Sequence, residues 1–558
     1  MTTSAAKLPI PQKPTLKDPK DYQYIGKPIK NREVRNIAQG TQTYTMDLNI
    51  PGTLYASIER CPVNQGRLLS YDASEALKVK GVVKIVALKG IKNIKDGIAV
   101  IATNTWATFK ARKALKIKWS QSPFSNQNLS GFKNALAQLH NVPGKPGFTK
   151  GNYNKAFQSA DTVLEAVYES PYQCHATMEP PVAVAQFKNN RCEVWSGVQS
   201  GGKVINQINQ ALGIPKSAIK VHILPAGGSF GRKFDPDFAV EAATVSKLGG
   251  GQPIKLVWSR EDDMQHDRYH AFEHIKYRVA IKDNKIAGWD SKVINVFGQG
   301  GSLDDYHYVY HFPTIKTHGV AASAWKTLPT GAWRSVSNHR SALGYESFLD
   351  EIAHKTNKDP LDFRLELLQK PVSLLGTGKR SKNIQRYRQL LRDRFKIVLE
   401  KIRSKADWGK KMPKGYGQGL AIFQFGRTVC AHVVEVAVLE GNLTINKITS
   451  VMHVGRVINP HIVKGQVEGS IIWALSAALY GGVDFEKGVP KTTNFDNYKV
   501  LRMDEIPEMD IHLVESNDDP VGAGEPATPP LAPALLNAIF AATGKRIRKI
   551  PVLKEDLV

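Results

Sequence analysis

Apolar and polar positions alternate along LYASIERCPV (54–63), and a period of two predicts a strand that starts at Leu54. GVVKIVAL (81–88) and GIAVIA (97–102) are apolar runs of strand length. Thr105–Lys116 switches to helical spacing, with Trp106, Phe109 and Leu115 as its expected packing residues. Together these segments predict a compact α/β module that ends near residue 120. Residues 121–160 are rich in Ser, Asn, Gln, Gly and Pro and read as a long connection. Strands resume with TVLEAVYE (162–169), AVAQF (183–187) and CEVWSG (192–197). A helix over Lys203–Leu212 precedes the strand VHILP (221–225), and a second is predicted over Phe238–Leu248. PIKLVWSR (253–260) reads as a strand, and KYRVAIKDNKIAGW (276–289) as a hairpin turning at Asp283-Asn284. Two long mixed α/β regions follow, 161–370 and 411–558. Between them, within 371–410, lies a basic helical connection. Ile384, Tyr387, Leu391, Phe395, Val398 and Ile402 recur there at spacings of three or four. Packing on or inside the protein is its default reading; partner docking and peripheral membrane contact are the alternatives.

The length of 558 residues corresponds to roughly three or four domains. Hydrophobic residues at 42% and charged residues at 23% exclude global disorder and a fibrous chain. No uninterrupted apolar run approaches the ~18 residues of a transmembrane helix. Residues 1–20 read as an extended arm, with proline and charge where a secretory signal needs an apolar stretch. The compartment stays open: periplasmic or membrane-associated through partners, with the cytoplasm as the alternative. Cys61, Cys174, Cys192 and Cys430 form no CxxC pair, so no all-thiolate zinc or [2Fe-2S] site is recognisable. The formal charge of +26 points first to nucleic acid. Its spread along the chain, without a zinc-finger, basic-zipper or RNP pattern, favours a solvated surface or a docking face for an acidic partner or anionic membrane.

Four turn-rich segments can carry chemistry. In Gly227-Gly228-Ser229-Phe230-Gly231, successive backbone amides either turn toward an anion or only form an ordinary tight turn; the P-loop and Rossmann endings are missing. Gly331-Ala332-Trp333-Arg334-Ser335 presents a single arginine, either an exposed structural residue or one that orients a carboxylate, carbonyl or phosphate. Asn459-Pro460 is read as the end of a strand-like segment, and Gly465-Gln466-Val467-Glu468-Gly469 as the entrance of the apolar helix SIIWALSAAL. Amides there and Gln466 can hold a polar cofactor, with Glu468 in the first turn as a structural charge. Glu525 in Val521-Gly522-Ala523-Gly524-Glu525-Pro526 precedes another apolar helix; it is either a charged loop residue or helix cap, or a partly desolvated general base. Glu261-Asp262-Asp263 is expected to be a solvated strand exit rather than a metal site, and His175 either lines a pocket or orders a loop. No GxSxG, HExxH or EF-hand pattern occurs.

In order, HATMEP, VWSGVQS, GGSFGRK, VWSREDDMQHDRY, GAWRSVSNHR, HVGRVINP with GQVEG, NFDNYKVLRMDE and VGAGEPATPPLAPALLNAIFAATGKR resemble the molybdopterin-binding catalytic subunit of the xanthine dehydrogenase/aldehyde oxidase family. Within that family the nearest resemblance is to the isoquinoline 1-oxidoreductase branch, in its beta-subunit type. It covers residues 21–558 and implies an α+β fold. A hammerhead α/β domain (21–120) is followed by two mixed α/β molybdopterin-binding domains, 161–370 and 411–558. It also implies a molybdenum hydroxylase that oxidises an aldehyde or hydroxylates an N-heteroaromatic ring with oxygen from water. Glu525 then corresponds to the general base that takes a proton from a hydroxyl on molybdenum. Gln199 corresponds to a glutamine near an oxygen-type ligand of the metal. Gly227, Gly228, Ser229, Phe230 and Gly231 match the loop beside the metal. Arg334 matches a residue between substrate pocket and pterin and joins Glu525 and Gln199 in the implied catalytic group. Gln466 and Gly524 match the pterin-binding surroundings. The implied cofactor is molybdopterin cytosine dinucleotide, its sulfido/oxo molybdenum held by the pterin dithiolene and small inorganic ligands rather than by protein side chains.

One departure is informative. The family carries a further cofactor loop resembling Glu-Met-Gly-Gln-Gly, which this sequence lacks; Gly415-Tyr416-Gly417-Gln418-Gly419 fits a strand region better. A second molybdopterin-binding polypeptide is therefore expected to supply that loop. The missing iron–sulfur ligands imply a small [2Fe-2S] subunit as another partner, passing electrons to a cytochrome, quinone or other carrier. The competing reading is a non-catalytic scaffold or assembly subunit of such a complex. No nucleic acid is expected as a partner.

Overall fold

The computed structural model describes residues 6–10, 12–296, 309–370 and 379–558, without the side chains of Asn295 and of 379–382. Parts of the expected arm, of the region 161–370 and of the basic connection lie outside the described residues. Three sheets organise the chain. A seven-stranded sheet runs in the spatial order Ile219–Ile223, Arg191–Ser196, Val182–Lys188, Ile254–Val257, Leu54–Arg60, Gly97–Ala102, Val82–Leu88. Its seam is the parallel pairing of Leu54, Tyr55 and Ala56 with Ile254, Lys255 and Leu256. Segments 200 residues apart in sequence thus share one hydrogen-bonded layer. Helix Asp237–Gly249, buried along Asp237–Ser246, packs against it.

The second sheet is ordered Lys145–Lys150, Ile315–Ala321, Lys285–Asn295, Glu273–Lys282, Thr162–Ser170. Its central hairpin turns at Asp283 (φ 49°) and Asn284 (φ 54°), as its sequence predicts, because a two-residue turn with both φ positive suits Asx residues. Helix Asn338–Lys355 packs against the strands Thr162–Ser170, Glu273–Lys282 and Tyr416–Phe425. The third sheet is ordered Tyr416–Phe425, Thr428–Leu439, Asn442–His453, Glu508–Leu513. The apolar helix Leu531–Thr543 packs against its first two strands, and helix Lys379–Lys405 against the three long ones. Leu391, Phe395, Val398 and Ile402 of that basic helix are buried in the main core, so its apolar stripe is used inside the protein. Gly417 and Gly419 lie in the first strand; a Cβ on Gly419 would sit 2.0 Å from the Ala538 nitrogen, so the glycines let strand and helix touch. Among the described residues, no helix is long and apolar enough to cross a membrane.

Several local expectations change. Trp106 is 75% exposed; Ala107, Thr108 and Ala111 are the buried residues of helix Thr105–Lys113. The helix packs against strands Leu54–Arg60 and Gly97–Ala102, and its buried residues are the small ones. The stretch read as a connection, 121–160, contains helix Leu129–Gln138, edge strand Lys145–Lys150 and helix Tyr153–Gln158. Asn128 and Asn152 cap the two helices, so residues scored as loop formers are helix starts. Glu261-Asp262-Asp263 is not a solvated exit: it lies in helix Arg260–Gln265, capped by Ser259, with Asp262 and Asp263 buried. Arg112 pairs with Asp262 at 2.7 Å and Arg260 with Asp263 at 2.5 Å, which is what permits their burial.

Candidate active site

Three turns and one helix converge. In the turn after Thr330, the backbone enters the left-handed region at Ser335 (φ 79°) and Val336 (φ 53°). Such conformations are costly for non-glycine residues, β-branched valine above all, and persist only where surrounding contacts impose them. Here they accompany a Ser335 N–H donated to the Glu525 Oε1 at 2.9 Å. The preceding Arg334 is 9% exposed rather than a solvated surface residue. Its Nε and one terminal nitrogen donate to the Gly524 carbonyl at 2.8 and 2.6 Å. The same terminal nitrogen donates to the Gln466 carbonyl and Oε1, each at 3.1 Å. Burial pushes the Arg334 guanidinium down to about 10, with the charge of Glu525 opposing. One arginine therefore ties the Glu525 turn to the helix bearing Gln466.

That helix spans Pro460–Leu479 with Asn459 as its cap, so Asn459-Pro460 starts a helix rather than ending a strand. Gln466 lies inside the helix, not at its entrance, and Glu468 is beyond the first turn and exposed. Proline at the first helical position extends the helix back past the point where the apolar run begins. Helical spacing then places Gln466, Gly469 and Trp473 on one face. A Cβ on Gly469 would lie 3.4 Å from Arg334.

The loop Gly227–Gly231 forms the opposite wall. Gly228, Phe230 and Gly231 all have positive φ. A Cβ on Gly231 (φ 110°) would fall 1.9 Å from the Ala332 carbonyl oxygen, so only glycine lets this loop touch the Arg334 turn. Gln199 accepts through Oε1 from the Ser229 hydroxyl and from the Gly231 N–H at 3.2 Å. Glu179 accepts from the Gly227 N–H at 2.9 Å and pairs with Lys233 at 2.6 Å. The Phe230 ring stacks on Trp473, centroids 3.9 Å apart, and Trp473 lies 5.3 Å from Trp333. Sequence reasoning assigns neither tryptophan a role. The i, i+3, i+7 spacing from Gln466 is the available signal for Trp473.

Behind the turn, His175 is fully buried and orders the loop. Its Nδ1 lies 2.9 Å from Asp267 and its Nε2 2.7 Å from the Ala332 carbonyl. Arg232 pairs with Asp237 at 3.0 Å and Asp267 at 3.3 Å. Burial would raise the Asp267 carboxyl, but His175 and Arg232 outweigh it and hold it below its usual range. Asp263 is pushed up to about 7 by burial and by the neighbouring charge of Asp267.

Glu525, Gln199, Arg334, Gln466, Gly524 and the 227–231 loop are thus brought together. The amides of Gly228, Ser229 and Phe230, and those of Ala523, Gly524 and Glu525, have no protein acceptor among the described residues. With Arg334 and the exposed Gln199 and Gln466, they make a donor set rich in N–H groups, suited to oxygen-bearing anionic groups such as those of a nucleotide-linked pterin. Among the described residues, no three His, Cys, Asp or Glu side chains gather as metal ligands.

Two molybdopterin cofactor-binding domain profiles match the chain, at residues 137–368 and 353–507. A membrane-bound aldehyde dehydrogenase [pyrroloquinoline-quinone] of Gluconacetobacter polyoxogenes is 30% identical, over 99% of this chain and 74% of that protein. This chain belongs to the molybdopterin-binding oxidoreductases of the xanthine dehydrogenase/aldehyde oxidase superfamily. Within the superfamily, the isoquinoline 1-oxidoreductase beta subunit of Brevundimonas diminuta is 27% identical, over 96% of this chain and 69% of its own. A nicotinate dehydrogenase subunit of Pseudomonas putida is 24% identical, over 97% of this chain and 47% of its own. These relatives do not single out the isoquinoline branch. Aldehyde oxidoreductase from Desulfovibrio desulfuricans shares the superfamily fold with a TM-score of 0.79 at 17% identity, over 97% of this chain and 81% of that one. Quinoline 2-oxidoreductase from Pseudomonas putida 86 does so at 0.73 and 14%, over 96% and 97%. The expected mixed α/β multidomain architecture is the one these neighbours have.

Proposed function

We propose that this chain is the catalytic subunit of a molybdenum hydroxylase that oxidises an aldehyde or hydroxylates an N-heteroaromatic compound, with water as the oxygen source. The observation that carries the reading is the Glu525 carboxylate, aimed by the Ser335 amide at the meeting point of three turns. Molybdopterin cytosine dinucleotide is the proposed cofactor. The 228–230 amides, Gln199, Arg334, Gln466 and Gly524 are the groups that would hold it. Bound there, it would supply Lewis acidity and two-electron redox chemistry.

The protein's part follows from the geometry. Glu525 Oε1 is taken by Ser335 N–H, which leaves Oε2 as the proton acceptor. Arg334 fixes the Gly524 carbonyl, and so the residue before the base. Gln199 uses Oε1 to accept from Ser229 and Gly231, which leaves its amide N–H groups to donate to a cofactor oxygen. Phe230 and Trp473, backed by the buried Trp333, provide an aromatic wall against which a flat substrate excludes water.

We extend the proposal to the assembly. A small [2Fe-2S] subunit receives the electrons, and a second polypeptide supplies the Glu-Met-Gly-Gln-Gly-type loop not found in these 558 residues. The division into a hammerhead segment (21–120), a first (161–370) and a second (411–558) cofactor-binding segment belongs to the same reading. Glu525→Gln in the natively purified complex should keep molybdenum, read by elemental analysis, while turnover falls by about 10²–10⁴-fold. Turnover near wild type would refute the role of Glu525. The missing loop keeps the scaffold reading as the alternative; a wild-type complex with no molybdenum and no redox turnover would support it.

A further inference from the structure

The open face of the second sheet carries a cleft of about 480 Å³ that shares no residue with the candidate active site. Its floor follows from strand register. Tyr277, Val279, Trp289 and Val293 point into the core, so their alternating neighbours point out. One row across the strands reads Glu165, Arg278, Asp290, Lys316. The next reads Val167, Lys276, Lys292, His318. His140, Gly144, Pro146 and Tyr153 form the rim.

The first row alternates in sign and is largely satisfied. Glu165 pairs with Arg278 at 3.0 Å and with Lys276, while Asp290 accepts from Tyr153 at 2.9 Å and His318 at 3.0 Å. Of the lysines in the second row, only Lys276 has a carboxylate partner: it shares Glu165 with Arg278 and stands directly opposite Lys292, a like-charge pairing that costs stability. Neither Lys292 nor Lys316 has a carboxylate partner among the described residues. Lys292 donates to the His140 carbonyl at 2.7 Å and to the Val142 carbonyl, and Lys316 lies 4.5 Å from the Tyr153 ring centroid. Four permanent cations thus face two carboxylates. At the rim, burial, then the charges of His274, Lys276 and Lys292, push the His140 imidazole down to about 3.

We propose that this cleft binds a compact dianion carried on oxygen atoms, a phosphate group or a dicarboxylate. Two negative charges balance the excess, and ammonium groups on adjacent strands, with Arg278 beside them, reach one ligand from several sides. The two chemistries share the charge and differ in shape.

Calorimetric titration of the natively purified protein with sodium phosphate and with sodium succinate, against sodium chloride at matched ionic strength, tests this. One saturable site with a dissociation constant on the order of 1 mM or tighter is expected for phosphate, succinate or both. Phosphate alone would narrow the ligand to a phosphoryl group, succinate alone to a dicarboxylate. The double variant K276Q/K316Q, which equalises the charges, should weaken binding by about tenfold or more. Glu165→Gln, on a half-exposed strand position, should strengthen it. Titrations indistinguishable from chloride, or binding unchanged in both variants with their circular dichroism intact, would overturn the proposal.

Discussion

Acidification should loosen the Glu525 turn through one buried histidine. His432 sits in the central strand Thr428–Leu439, fully buried. Its Nε2 donates to the Ala527 carbonyl at 2.7 Å, two residues beyond Glu525, and its Nδ1 has no partner among the described residues. A second proton would land on that unpartnered nitrogen. Burial therefore pushes the imidazole down from 6.5 to about 4, with the Ala527 bond opposing. A histidine with a depressed folded-state pKa contributes stability that is fully present above the unfolded value of 6.5. That contribution is lost as pH falls toward 4. At about pH 5.5 the unfolded imidazole is mostly protonated and the folded one mostly neutral, a linkage worth about 1 kcal/mol. Below about pH 4 the whole difference is worth on the order of 3 kcal/mol. His432→Gln keeps an N–H for Ala527 and cannot titrate. Urea unfolding of both proteins from about pH 8 to 4.5 should show the variant gaining on the wild type below about pH 6.5, by about 1 kcal/mol at pH 5.5. A stability difference independent of pH over that range would refute the reasoning.

Further outcomes follow from the same contacts. Gly231→Ala places a methyl 1.9 Å from the Ala332 oxygen at a φ of 110° and should cost roughly 3 kcal/mol or more, read in thermal unfolding together with loss of bound molybdenum. Arg334→Lys keeps the charge but cannot span the Gly524 carbonyl and Gln466; turnover of the native complex should drop about 10²-fold with its thermal midpoint little changed, and unaltered turnover would reject the positioning role. Glu346→Ala strands Arg364, whose 2.8 Å partner it is at full burial, and should lower unfolding stability by about 3–5 kcal/mol; a loss under about 1 kcal/mol in denaturant titration would contradict that.

Much of the secondary structure is legible in the sequence because it depends on neighbours in the chain. The strand at Leu54, the hairpin at Asp283-Asn284 and the helices near Lys203 and Phe238 follow from periodicity and turn chemistry. The glycine-rich segments are recognisable as turns for the same reason, and their order in the chain carries the family resemblance. Burial is less legible. Trp106 has the right spacing for a core residue yet is exposed, and Asp262 looks like a surface charge yet is buried against Arg112. Whether a side chain is buried depends on what packs against it, and those partners lie far away in sequence.

By itself, the sequence determined the local elements, the glycines that permit tight turns, and the residue types able to hold an anion or take a proton. Only the tertiary structure decided that Glu525 accepts from Ser335, that Arg334 links Gly524 to Gln466, and that Phe230, Trp473 and Trp333 share a wall. It also set Lys276 opposite Lys292, a consequence of strand register. The physical reason is the same throughout: a chain's own geometry reaches only a few residues, whereas a site's charge balance and hydrogen bonds come from segments that meet when separate hydrophobic faces are buried together.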